Sequence, residues 1–326
     1  MKLSDIGEFN LIKRILDLIP KDNRAISYFD DAIMIDFKKF IIVIKSDGFV
    51  ASTDLLPGMT AKDIGWKTAV MNLSDLAAKG VSPQGCSIIL GVEREREIEY
   101  VLDIYRGLID ASRKYNFYIW GGDLNEAEDL IVGCTMIGFA KDKVVTRSGA
   151  KPGDILAVTG MFGYTSLAYK ILLEGYKIKD RKLLHKVLKH AYRPEARVKE
   201  GLILKNFVSA SIDSSDGLAI SLNLLSKASN VKIIVENIPI PVEIEKFALK
   251  NNIDVLELVL YEGGEEYELI YSIPPHMWEK ACNSIKKCGG NLYPIGKVVK
   301  GKGVYLKKDD KYESIPSKGY QHFNSS

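Results

Sequence analysis

The chain is predicted to fold as two domains of the α+β or α/β class. Three observations carry this expectation. The chain has 326 residues, 46% of them hydrophobic, which is long for one domain and apolar enough for real cores. Short apolar runs of strand length alternate with helix-length segments of 3.6-residue periodicity. A stretch rich in Gly, Pro and charge, Arg147-Ser148-Gly149-Ala150-Lys151-Pro152-Gly153-Asp154, separates the halves and places the boundary at 148/149.

The elements follow in order. Residues 4–19 carry Ile6, Phe9, Ile12, Ile15, Leu16 and Ile19 at helical spacing, stopped by Pro20. Strands are predicted at 32–36 and 40–45, joined by a polar turn at Asp36. Thr60 and Asp63 form a capping pair opening a long helix that Gly80 ends. A strand at 86–91, a helix at 97–115 and strands at 117–120 and 130–139 complete the first half. The second half reads as helices at 163–173, 181–190, 195–206, 217–228, 241–251 and 276–288, with strands at 155–159, 231–235, 267–273 and 292–299. Pro152-Gly153-Asp154 reads as an ordinary turn, and the tail Asn324-Ser325-Ser326 as frayed.

Charge excludes several classes. Forty-five basic residues against 42 acidic leave a net +3, with no dense basic run, so neither nucleic acid nor a membrane surface is an expected partner. No apolar stretch approaches the ~20 residues of a membrane helix. The N-terminus opens on a mixed amphipathic segment, so a cytoplasmic location is expected. Cys86, Cys134, Cys282 and Cys288 form no CxxC pair and are expected to be free.

Acidic motifs suggest the chemistry. They are Phe29-Asp30-Asp31-Ala32, Lys45-Ser46-Asp47, Asn72-Leu73-Ser74-Asp75, Gly121-Gly122-Asp123 and Ile212-Asp213-Ser214-Ser215-Asp216-Gly217. Several lie where an apolar run breaks, and strand ends are where sheet folds place ligands. Two unit charges ~5 Å apart at an effective dielectric of ~20 repel by about 3 kcal/mol. Converging carboxylates therefore call for hard divalent cations, and Mg²⁺ favours a few carboxylates plus substrate phosphates. Asp75 falls in the last turn of its helix, facing the negative end of the dipole with little cationic compensation nearby in sequence. The Asp213–Gly217 run would by itself read as a helix cap. Paired glycines before Asp123 read either as a turn or as a close approach to phosphate. Glu262-Gly263-Gly264-Glu265-Glu266-Tyr267-Glu268 reads as a solvated or a substrate-facing loop. No Walker A loop, GxGxxG or protein-kinase signature occurs.

Taken in order, these motifs resemble the thiamine-monophosphate kinase family. It belongs to a superfamily that includes aminoimidazole ribonucleotide synthetase, selenophosphate synthetase and a hydrogenase maturation factor. Further pieces are Ile6-Gly7-Glu8-Phe9, Thr146-Arg147-Ser148-Gly149, Arg193-Pro194, Gly263-Gly264-Glu265-Glu266 and Lys318-Gly319-Tyr320-Gln321-His322-Phe323. The resemblance implies transfer of the ATP γ-phosphate to thiamine monophosphate. It implies an N-terminal domain whose mixed sheet pairs across a homodimer, and a C-terminal α/β sandwich. By resemblance, Asp31, Ser46, Asp47, Asp75, Asp123, Asp213 and Asp216 are expected to ligate several Mg²⁺ ions. Tyr105, Gly122, Arg147 and Ser215 are expected to contact ATP, and Asp54, Glu265 and Tyr320 the acceptor. Asp47, Asp123, Arg147 and Asp216 are expected at the chemical step. Three positions depart from the family pattern: Phe29 replaces a usual Gly, Lys45 a Ser or Thr, and Asp54 a His. Another ATP-dependent enzyme of the superfamily, or a nucleotide-binding regulatory protein without catalysis, is the alternative.

Overall fold

The computed structural model describes residues 3–5 and 7–323. Ile6 and the tail 324–326 therefore lie outside the described residues. In the first half, strands β1 (Ile33–Asp36), β2 (Ile41–Val50), β3 (Ser82–Val92), β4 (Tyr118–Glu126) and β5 (Ile131–Ala140) form one mixed sheet in the order β1-β2-β5-β3-β4. Only β3 and β4 run parallel. Helix α1 (Glu8–Leu18) precedes the sheet, the short α2 (Ala51–Asp54) follows β2, and α3 (Ala61–Ala78) and α4 (Ile98–Tyr115) cover one face. The expected amphipathic helix at the N-terminus forms, but none of the described residues of α1 is fully buried.

Two strands run further than their apolar cores suggest. β2 continues through Lys45, Ser46 and Asp47, because β5 supplies an unbroken antiparallel ladder from Ile41↔Ala140 to Val50↔Ile131. β4 continues through Gly121, Gly122 and Asp123. Gly121 has φ 149° and follows a register shift, at which Trp120 is the extra residue of a bulge. A Cβ on Gly122 would come within 1.7 Å of the Ile88 carbonyl, so only glycine lets β4 approach β3 there. The glycine pair belongs to the strand and is not a turn.

The second half holds a seven-stranded sheet in the order β12-β11-β8-β10-β6-β9-β7. Its strands are β6 (Ile155–Val158), β7 (Ala210–Asp213), β8 (Lys232–Val235), β9 (Leu269–Ile273), β10 (Tyr293–Val299), β11 (Gly303–Lys308) and β12 (Lys311–Ser314). The helices are α5 (Tyr164–Leu172), α6 (Arg181–Tyr192), α7 (Val198–Leu204), α8 (Leu218–Ser229), α9 (Val242–Lys250), α10 (Val255–Tyr261) and α11 (Trp278–Lys287). The sequence reading missed α10, β7, β11 and β12. All four are no more than seven residues long, too short for periodicity to separate from loops. Asp154 also does more than make a turn: it is buried and accepts hydrogen bonds from the Ser209 and Ser272 hydroxyls and the Lys151 N–H.

The two sheets share a core. Leu156, Val158 and Ile270 face one apolar cluster with α8 and α10, while Ala157, Leu269, Tyr271 and Ile273 face a second cluster that runs into α3 and the first sheet. Strands buried on both faces read as continuous apolar runs, and β6 and β9 do. Among the described residues no helix is long and apolar enough to cross a membrane. All four cysteines are free, with Cys86 and Cys134 buried.

Helices α3 and α4 touch backbone to backbone. A Cβ on Gly65 would lie 1.9 Å from the Ile104 carbonyl oxygen, and one on Gly107 would lie 2.0 Å from that of Lys62. Neither obstacle is a side chain that can swing away. Gly107→Val is expected to cost at least ~2 kcal/mol, since overpacking of ~1–3 kcal/mol is aggravated by backbone contact. Urea denaturation measures this, and an unchanged midpoint would show that the helices are not in such contact.

Candidate active site

Helix α3 is where the site is assembled. Fifteen of its 18 residues are buried, so it has no polar face turned to water. Its capping box forms as expected, with Thr60 and Asp63 satisfying each other's backbone N–H groups. The polar side chains along it must find partners inside the protein: Thr68 and Asn72 donate to carbonyls of the helix itself, and the charged residues and Ser74 draw partners from other segments. Lys67 donates to Glu265 at 2.6 Å. Ser74 donates to Asp213 Oδ2, at the end of β7, at 2.6 Å. Asp75 lies 3.1 Å from the Lys45 ammonium on β2. Lys79, wholly buried just past the helix, lies 2.5 Å from Asp30 and 2.7 Å from Asp31.

These ties draw the acids together. One carboxylate oxygen each from Asp31, Asp75 and Asp213 lie within 4.8 Å of one another, all three residues being buried. Lys45 also reaches Asp47 at 3.7 Å. Asp216 stands close enough to Asp213 and Asp47 for their charges to perturb it. Arg147 donates through its guanidinium to Asp31 and through its backbone N–H to Asp30, while the Phe29 ring lies over the guanidinium at 5.5 Å. Thus Asp30 pairs with Lys79 and Arg147, and Asp31 both pairs and joins the three-carboxylate group.

The charge balance is short of cations. Six carboxylates (Asp30, Asp31, Asp47, Asp75, Asp213 and Asp216) stand against three cations (Lys45, Lys79 and Arg147), a difference of three negative charges. The acids respond unequally. Burial would raise Asp31, but Arg147 and Lys79 outweigh it and hold the group at about 2. Burial and neighbouring Asp31 push Asp213 up to about 6. Burial, then Glu8, Asp213 and Asp47, push Asp216 up to about 7. Asp75 is also raised, by burial and by Asp213, Asp31 and Asp47, despite Lys45. Oxygen donors this close, with protons held against their ordinary acidity, fit a hard divalent cation.

A second group of side chains adjoins the first. Glu265 accepts from Lys67 and from the Tyr169 hydroxyl at 2.5 Å. The loop carrying it is pinned to the β7–α8 connection: Glu265 N–H donates to the Ser215 carbonyl at 2.6 Å and Tyr267 N–H to that of Ser214 at 2.9 Å. The C-terminal tail crosses the same connection, with Tyr320 N–H donating to the Asp216 carbonyl at 3.2 Å. His322 N–H donates to Glu8 at 2.9 Å, so the two ends of the chain meet here. Burial raises the Tyr320 hydroxyl pKa, and Asp54, Glu265, Glu8 and Asp216 raise it further. Asp54, Glu265 and Tyr320 therefore share one neighbourhood, next to the acidic cluster. Asp54 also accepts from Val50 N–H at 2.8 Å.

The N-terminal domain model for AIR synthase related proteins matches residues 29–140, and the corresponding C-terminal domain model matches 151–309. A thiamine-monophosphate kinase from Pyrococcus horikoshii is 34% identical over 301 residues, 92% of each chain. One from Nitrosopumilus maritimus is 35% identical over 282 residues, 86% of this chain and 89% of that one. This chain belongs to the thiamine-monophosphate kinase family. The solved structure of AaThiL complexed with AMPPCP and TMP superposes with a TM-score of 0.86 at 26% identity, covering 99% of both chains.

Not every position expected to serve a thiamine-monophosphate kinase lies in the buried cluster. Along β2 the side chains of Lys45 and Asp47 share the helix-covered face with buried Val43 and Phe49, and Ser46 takes the open face, its hydroxyl 2.8 Å from that of Thr135. Asp123 pairs in register with exposed Ile89 and so also takes the open face, where Asn125 donates to it at 2.9 Å. Three strand spacings, roughly 14 Å, separate β4 from β2. Gly122 lies on the same edge strand. Tyr105, on α4, packs half-buried against the first core. Ser215 lies in the connection beneath Glu265.

The sequence reading passed over Glu8, Lys67, Ser74, Lys79 and Tyr169. Lys67 and Lys79 bracket a helical stretch with no polar stripe, and a lysine with no solvent face signals a buried partner. The compensation that Asp75 lacks locally arrives from Lys45, a residue 30 positions away on the facing strand.

Asp213 and Asp216 make the metal-free protein sensitive to pH. Both are raised above the unfolded carboxylate value, so the folded state binds more protons between pH ~4 and ~7, and stability falls as pH rises through that window. In EDTA, the double substitution Asp213→Asn/Asp216→Asn is therefore expected to raise Tm more at pH 8 than at pH 5.5. Calorimetry at the two values checks this, and an equal shift at both would place neither charge in the cluster.

Proposed function

We propose that this chain is a Mg²⁺-dependent thiamine-monophosphate kinase, which transfers the γ-phosphate of ATP to the phosphate of thiamine monophosphate and releases thiamine diphosphate and ADP. The observation that carries the reading is the position of the Asp54–Glu265–Tyr320 group directly beside the buried acidic cluster. The reaction needs two polyanions to be brought together, and a cation-seeking group of acids adjoining carboxylates and tyrosines supports that reading.

The acceptor is already an anion, so an acceptor phosphate oxygen forms the new bond to the γ-phosphorus without losing a proton to a base. The bond from that phosphorus to the β–γ bridging oxygen breaks, and ADP departs with the electron pair. Such transfer is mostly positioning and electrostatic stabilisation. Asp31, Asp75, Asp213, Asp47 and Asp216 would hold Mg²⁺, which when bound neutralises phosphate charge. Arg147 is engaged with Asp31, and its guanidinium beside the cluster would add positive charge toward nucleotide phosphates. Asp54 and Glu265 offer acceptors for a cationic thiazolium and an aminopyrimidine, with the Tyr320 hydroxyl beside them.

A panel of phosphorylated acceptors assayed with ATP and Mg²⁺ tests the assignment, with thiamine monophosphate expected to be turned over and aminoimidazole or carbamoyl substrates not. Asp47→Asn is expected to lower kcat by about 100-fold or more, the scale of one lost preorganised electrostatic contact. Asp54→Asn keeps the hydrogen bond from Val50 and removes only the charge. It is expected to raise KM for thiamine monophosphate by about 10-fold, ~1.4 kcal/mol, with KM for ATP unchanged. Near-normal turnover in the first variant would remove Asp47 from the site, and an unchanged acceptor KM in the second would do the same for Asp54.

The open face of the first sheet supports a twofold dimer. Ile89, Tyr118, Trp120, Ile131 and Phe139 are all exposed on it, an apolar surface that a second copy would bury. Ser46 and Asp123 lie on the same face, so pairing would bring them to the interface. Trp120→Glu is expected to shift the chain from dimer to monomer in light scattering at micromolar concentration. Wild-type protein that is active and monomeric under those conditions would refute the pairing.

A further inference from the structure

The cluster contains a cation that its own carboxylates did not recruit from solvent. Lys45 leaves β2 on the helix-covered face, beside Asp47 and opposite Asp75. Its ammonium is 3.1 Å from Asp75 and 3.7 Å from Asp47, and the Asp75 side chain is almost wholly buried. Lys79 and Arg147 serve the opposite flank, Asp30 and Asp31. Among the described residues neither Asp213 nor Asp216 makes an ion pair within 4.0 Å; the Asp213 carboxylate accepts from the Ser74 hydroxyl, and the Lys45 charge reaches both aspartates from further off. The acids thus divide into two pairs in direct contact with cations and one pair without such contact, and Lys45 is the cation held by Asp47 and Asp75.

We propose that Lys45 is a permanent cation of the active site, its ammonium occupying the place between Asp47 and Asp75 that a divalent ion would otherwise take, so that this enzyme binds fewer divalent ions than its carboxylates could hold. This rests on the metal-dependent reading above. An ammonium differs from Mg²⁺ in three ways that matter here. It is tethered and cannot be lost to a chelator. It donates at most about three hydrogen bonds, where Mg²⁺ gathers about six oxygens in one octahedral shell. It repels a second cation at close range, which directs divalent ions toward Asp213 and Asp216, the acids with no ammonium or guanidinium in contact. The competing possibility is that Lys45 is a placeholder that swings out when an ion arrives.

Direct Mn²⁺ binding to the whole protein separates the two, measured by equilibrium dialysis and electron paramagnetic resonance with saturating AMPPCP and without acceptor. Lys45→Thr opens the space and removes the charge, and is expected to bind one Mn²⁺ more per chain than the wild type. Lys45→Met removes the charge and keeps the bulk, and is expected to tighten the strongest Mn²⁺ site by about ten-fold or more. Both variants should melt below the wild type in EDTA, with millimolar Mg²⁺ restoring Lys45→Thr. The same ion number in wild type and Lys45→Thr, at equal or tighter affinity in the variant, would overturn the proposal and favour the placeholder. A Lys45→Thr chain that stays unfolded in millimolar Mn²⁺ would also count against it, because the ion is then no substitute for the ammonium. Wild-type protein that binds no Mn²⁺ beyond that carried by AMPPCP would instead defeat the metal-dependent kinase reading itself.

Discussion

Near-complete burial of α3 is the constraint on which the rest of this structure depends. A helix with water on one face can leave its charged side chains there at little cost. Here α3 is enclosed by the first sheet, by α4 and by the second half of the chain, yet it and the turn after it carry Lys67, Ser74, Asp75 and Lys79. An unpaired charge in such a place is costly enough that the fold must supply a partner. The partners are Glu265, Asp213, Lys45, and Asp30 with Asp31, drawn from four separate segments. Satisfying the helix and assembling the site are therefore one event.

The same constraint explains how the two halves behave as one unit at the site. The core around α3 continues into β9, α7 and α11, and Trp66 donates its indole N–H to the Pro194 carbonyl at 2.7 Å. Backbone contact at Gly65 and Gly107 lets α4 seal the other side without adding thickness. The loops that would meet a substrate have little freedom of their own. The Glu265 loop is bonded to the β7–α8 connection, and the tail at Tyr320 is bonded to it as well. Glu265 and Tyr267 adopt positive φ, a backbone state that non-glycine residues keep only where surroundings enforce it.

Electrostatics at the site is a matter of incomplete compensation. Full pairing of the acids would leave no affinity for further cations, and no pairing at all would leave the metal-free chain hard to fold. Three cations among six carboxylates give an intermediate condition. Asp31 is held firmly ionised, while Asp213 and Asp216 hold protons into the neutral range. An ion entering such a site displaces protons from carboxylates already oriented for it, so little reorganisation is needed.

Much was legible in the sequence because it is local. The capping box of Thr60 and Asp63, the apolar strands β6 and β9, the break near residue 150 and the ordered acidic motifs all depend on neighbours a few positions apart. The motif order also identified the family, since the spacing of so many short pieces is rarely matched by chance. What only the tertiary structure decided is which charges meet. β2 alternates, so Lys45 and Asp47 face α3 whereas Ser46, between them, faces the open side of the sheet. The register of β4 sends Asp123 to that open side too. Asp30 and Asp31 are adjacent in sequence, and only the positions of Lys79 and Arg147 distinguish their roles. A side chain's type sets what chemistry it can do, but its partner is chosen by strand register and helix burial, and those are properties of the folded chain.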